Sequence, residues 1–160
     1  MKKEHRNLFS NLNPTEKNTR DRILLKRAVG RNISDVNAQT LSAFYKHIFL
    51  PHSNELEEKM FYLACLYCEQ GKNGTIEVPT AWASYSQKHG IPNGAITRLI
   101  DSPWNNNTAM SLIRIIRRLI AEGYSIDMEK LATDVKFWNN DRMRLEWAKK
   151  ISRTMEETND

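Results

Sequence analysis

The stretch SLIRIIRRLI, Ser111 to Ile120, decides the fold class. On a helical wheel Leu112, Ile113, Ile115, Ile116, Leu119 and Ile120 fill one side, while Arg114, Arg117 and Arg118 project from the opposite arc. The apolar side requires a core to pack against. The basic side requires a different explanation, because no carboxylate lies between Asp101 and Glu122. Only Glu122, four residues past Arg118, is placed to pair locally with the stripe.

Outward from this segment, helical signals recur and strand signals are almost absent. Pro14, Thr15 and Glu16 predict the start of a helix that runs through ILLKRAV to Gly30, with Ile23, Leu24, Ala28 and Val29 on its inner face. A second helix is expected from about Gln39 to Leu50, before Pro51, and a third from Glu55 to Gln70, before Gly71. GKNGTIEVP has the Gly, Asn and Pro content of a surface connection. TAWASYSQK and GAITRLID then predict two short helices, and the PWNNN turn leads into the opening helix, expected over Thr108 to Glu122. Met128, Leu131, Val135 and Trp138 fall at helical spacing, and Asp141 is a candidate cap for a last helix with Met143, Trp147 and Ile151 in a row. The expected fold is all-α: a multi-helix body, or two small helical lobes. Residues 1–13 are read as a flexible N-terminal segment, 14–155 as one helical domain, and 156–160 as a frayed tail.

A chain of 160 residues can bury a core without disulfides or metal. Its net charge of +5 favours an acidic partner, and the charge is segmented: +6 over residues 1–54, −3 over 55–79, +4 over 80–121 and −2 over 122–160. Met1 to Asn7 is not followed by an apolar signal core, so a cytoplasmic location is expected. MFYLACLYC, Met60 to Cys68, falls far short of the ~20 residues that span a bilayer, and no membrane partner is expected.

Little points to chemistry. Cys65 and Cys68 have metal-ligand spacing, with His47 and His52 upstream, but FYLACLYC reads as the buried centre of a helix, where cysteines serve as small hydrophobes. Ser34, Ser42, Ser84 and Ser86 lack a nucleophile-elbow context, and His89 has no evident acid to orient it. Asp127, Glu129 and Asp134, beside Lys130 and Lys136, read as a solvated face of mixed charge. No phosphate-cradling glycine loop is present. The expectation is a non-enzyme that needs no metal or cofactor.

Binding is better supported. Arg20, Arg27 and Arg31 share a stripe with Lys26 beside it. Arg98, then Arg114, Arg117 and Arg118, then Arg142, Arg144, Lys149 and Arg153 add further basic positions. Such stripes suit a phosphate backbone, whose contacts carry no sequence preference. SYSQKHGIPNGAITRLID also resembles a helix-turn-helix, with Ser86, Gly90 and Ile96 at the packing positions and Thr97 and Arg98 as the base-reading candidates. Trp138 and Trp147 are at core spacing. Trp104, in a polar turn, is a candidate for stacking on an unpaired base.

ILLKRAVGRNISDVNAQTLSAFYK, LIRIIRRLI and IDMEKLATDVKFWNNDRMRLEWAKKI, in this order, resemble the CasB family, the small subunit of the type I-E CRISPR surveillance complex Cascade. The resemblance covers about residues 20–153. It implies an all-helical, non-catalytic subunit that forms a head-to-tail pair with a second copy of itself and assembles with other Cascade proteins and a guide RNA. The implied role is to hold the R-loop open by contacting target DNA and the displaced single strand, while guide pairing reads the sequence. Lys26 and Arg27 match the family's basic pair in the first helix, Arg117 and Arg118 its Leu-Arg-Arg-Leu pair, and Arg144 the basic position before Trp-Ala. Gly94, Ala95 and Ile96 depart from the family's usual Arg-Arg-Phe, and Asp127-Met128 from its Asp-Trp. Arg98, one turn later, is the candidate replacement for the missing pair. The alternatives are a stand-alone helix-turn-helix regulator and a structural adaptor whose arginines meet acidic protein.

Overall fold

The structure, a computed structural model, describes residues 7–159, with side chains to Met155. Of the segments assigned to the termini, residues 1–6 and Asp160 lie outside the described residues. The described residues form eight α-helices: α1 (Thr19–Arg27), α2 (Ala38–His47), α3 (Asn54–Gln70), α4 (Val78–His89), α5 (Gly94–Asp101), α6 (Asn106–Ala121), α7 (Met128–Lys136) and α8 (Asp141–Asn159). The fold is all-α, and its only β feature among these residues is one isolated parallel bridge between Ile76 and Ile126. No helix among them is long and apolar enough to cross a membrane. The chain divides into two compact units, with the boundary between Asn73 and Gly74, inside the segment read as a connection.

In the first unit α1 packs on α2 and α3. α3 is the core element and is buried from Lys59 to Cys68. Phe9 stacks on Tyr67 at 5.1 Å between ring centroids, and Phe44 meets Phe61 edge-on at 5.2 Å. α1 departs from expectation in two ways. It starts at Thr19, because Asn18, 3% exposed, donates from Nδ2 to the carbonyls of Asn11 and Asn13 and exchanges bonds with Thr15, which holds Pro14–Asn18 in a turn. It also faces inward through Leu25 and Ala28, leaving Ile23 45% exposed. Asn18, Asp21 and Leu25 share that inner side. Asp21 lies 2.8 Å from the His47 ring, so polar residues that an apolar wheel counts as outward are drawn in by partners. Because α1 ends at Arg27, Arg31 lies beyond the helix and not on a shared stripe with Arg20 and Arg27.

In the second unit α8 packs on α4 and α5, and α6 packs on the same two helices. Leu112, Ile113, Ile115, Ile116 and Leu119 of α6 are buried, each worth about 2 kcal/mol in apolar burial. Asn105 caps the helix by accepting the Thr108 N–H at 2.9 Å, so α6 starts two residues earlier than expected. Met143, Trp147 and Ile151 of α8 are buried as a row. Asn140, rather than Asp141, accepts the Arg142 N–H at the start of α8, which runs to Asn159. Trp104, Trp138 and Trp147 form an edge-to-face series with centroids 5.7 and 5.4 Å apart, so Trp104 packs on a neighbouring ring.

Candidate nucleic-acid interface

α5 carries three of its eight residues, Ile96, Leu99 and Ile100, into the core, which turns Arg98 outward. α6 does the same with Arg114, Arg117 and Arg118. Between the two helices lies a groove of about 740 Å³ in which Arg98, Arg114 and Arg118 meet. Its lining includes the nearly buried Trp82 and Tyr85 of α4 with Leu99 and Ile115. Asn105, Asn107 and Ser111 supply neutral polar groups along one side. No carboxylate is among the described residues lining it. Glu122, the acid placed to pair with the stripe, has its carboxylate 3.8 Å from the His89 ring.

The arginine stripe of α6 is thus divided. Arg114 and Arg118, one turn apart, line the groove, while Arg117, on the other flank of the arc, is exposed and does not line it. Arg98 folds back along its own helix, and a Cβ added at Gly94 would lie 3.0 Å from Arg98 Nη1. Gly94 therefore leaves room for the guanidinium of Arg98.

The remaining candidates lie elsewhere. Arg144 is paired with Asp101, with Nε and Nη2 at 2.8 and 2.7 Å from the same carboxylate oxygen, so its charge is met within the chain. Arg142 lines a separate hollow of about 320 Å³ that also holds Asp134 and Glu146. Lys26, Arg27 and Arg31 are exposed in the first unit, the first two in the last turn of α1, where cations favour the helix dipole. The groove contributions of Tyr85 and Asn107 were missed in the sequence. The tyrosine sits in a helix that reads as core, and the asparagine in a turn that reads as a linker.

Two other clusters are settled by burial, one against expectation and one as expected. Asp134 is not on a solvated face: it is buried, accepting the Trp147 Nε1–H at 3.0 Å and the Lys130 ammonium at 2.8 Å. Burial alone would lower the Lys130 pKa, but the hydrogen bond and charge of Asp134, with Glu146 and Glu77, hold it above the usual value. Cys65 and Cys68 are buried inside α3. Burial raises the Cys65 thiol well above its usual range and pushes Cys68 up to about 12, against the opposing charge of Arg22. At neutral pH both stay protonated, a poor state for nucleophilic, redox or metal chemistry.

Fold and groove together define a class: an all-helical protein whose second unit presents an arginine groove with no carboxylate among its described lining residues. No family model and no curated protein matches the chain. It is similar to a chain in a solved structure titled "CRISPR RNA-guided surveillance complex", with a TM-score of 0.64 at 18% identity, covering 88% of this chain and 85% of that one. At that identity the likeness concerns the fold.

Proposed function

We propose that this chain is a non-catalytic subunit of an RNA-guided CRISPR surveillance complex, similar to the CasB small subunit of type I-E. In this role it assembles in the cytoplasm with a guide RNA, other Cascade proteins and a second copy of itself. It helps hold the R-loop by taking unpaired DNA into the groove between α5 and α6. The observation that carries the reading is the convergence of Arg98, Arg114 and Arg118 with no acid among the described lining residues. The three ordered sequence blocks and the fold likeness support the setting.

Exposed guanidiniums from two helices can follow a phosphate backbone without reading its sequence, which suits a complex whose specificity comes from guide pairing. Three such contacts imply weak binding by the free chain and a salt dependence of roughly 0.7 log units per phosphate contacted. Arg114→Glu combined with Arg118→Glu in the assembled complex tests the role. Assembly should persist while R-loop lifetime falls at least about tenfold, and an unchanged lifetime would count against the proposal.

The turn between α4 and α5 supports a second reading. Gly90 adopts the left-handed conformation, and Ser86 and Ile96 are buried as a helix-turn-helix requires. That alternative calls for sequence-specific duplex binding through the exposed Thr97 and Arg98, and a duplex-selection screen separates the two.

A further inference from the structure

The groove has a feature that backbone contact leaves unused. Phosphates need only the three guanidiniums, yet these line a hollow of about 740 Å³ together with the aromatic side chains Trp82 and Tyr85 and the apolar Leu99 and Ile115. That volume lies in the range of pockets that enclose a small organic ligand, about 300–1,000 Å³. Arg98 approaches from α5, while Arg114 and Arg118 approach from α6, so a strand touching both sides must cross the hollow. Arg114 and Arg118 are separated by a rise of about 6 Å along α6, comparable to the step between neighbouring phosphates of an extended strand.

We infer that the groove seats the base of one unpaired nucleotide against Trp82, Tyr85, Leu99 and Ile115 of its lining, while Arg98, Arg114 and Arg118 hold the phosphates on either side. This rests on the proposed contact with single-stranded DNA and adds that the contact includes a base. A paired base is held in its stack, so only a displaced or extruded nucleotide can enter, and the site distinguishes an open strand from a duplex by shape. Asn105, Asn107 and Ser111 carry both donors and acceptors. They can bond the edge of any base, so tolerance of sequence is retained.

The test uses the full chain at low salt and measures fluorescence anisotropy with two labelled probes of equal length and charge. One is a short oligothymidylate and the other its abasic counterpart. The oligothymidylate should bind about tenfold more tightly, the scale of one seated base. Ser111→Phe, which places a ring in the groove and leaves all three arginines, should bring it down to the abasic level. Equal binding of the two probes by the unmodified chain would overturn the base seat and leave backbone contact standing. A base-dependent difference that survives in folded Ser111→Phe would overturn this groove as the seat. Binding of neither probe would overturn the strand-binding reading itself, and the base seat with it.

Discussion

Asp134 shows how a single residue escapes a sequence reading. Its spacing beside Lys130 and Lys136 suggests a solvated face, yet it is buried and accepts from the Trp147 indole and the Lys130 ammonium. Nothing local to residues 127–136 announces a partner on α8. Asp134→Ala should therefore cost about 2–3 kcal/mol by leaving the buried indole N–H unpaired, measured by urea unfolding. A loss under about 0.5 kcal/mol would mean that the pair is dispensable. The cysteines were legible, since their neighbours FYLACLYC are apolar throughout. With Cys68 pushed up to about 12 and Cys65 also raised, neither should react with a thiol reagent at pH 7.5 until the chain is unfolded. Rapid labelling of the native protein would contradict their burial.

At the scale of elements, helix ends marked by their own residues were readable, and ends set by distant partners were not. Gly71 and Gly90 close α3 and α4 with positive φ, and both ends were expected. The start of α1 was misplaced because Asn18 is held by carbonyls of Asn11 and Asn13, a geometry no cap pattern encodes. The groove was only half legible. The exposure of the arginines follows from the apolar period of α6, but the meeting of Arg98 with Arg114 and Arg118 depends on how α5 packs against α6. The segment at Gly74 adds an element-level test. Gly74 donates its N–H to Ile126 at 2.9 Å, and a Cβ there would collide with the Ser125 backbone. Gly74→Ala should destabilise the second unit by about 1–3 kcal/mol, with the loss read from its thermal unfolding. An unchanged melting temperature would show that the two segments separate freely.

For the molecule as a whole, the all-helical class followed from hydrophobic period, and the position of the connection followed from its Gly, Asn and Pro content. The charge pattern also bears on stability. Cys65, Cys68, Tyr45, Tyr62 and Lys130 all have raised pKa values: the thiols and Tyr62 chiefly through burial, Tyr45 through Glu57, and Lys130 through Asp134 in spite of burial. A raised folded-state pKa means that the folded chain keeps its proton to higher pH than the unfolded chain. The associated stability is complete below the unfolded value, 9.0 for the thiols, and is lost as pH rises toward the folded value, about 12 for Cys68. The melting temperature should be level up to about pH 8.5 and fall beyond pH 9, and a rise there would contradict these shifts. The central claim is membership of a guide complex, and the most direct measurement is affinity purification of the tagged chain from its native cell at moderate salt. Partner proteins would be identified by mass spectrometry and any bound RNA sequenced. Recovery with several protein subunits and short RNAs of uniform length is the result this account predicts. Recovery of the chain alone, without RNA, would contradict it.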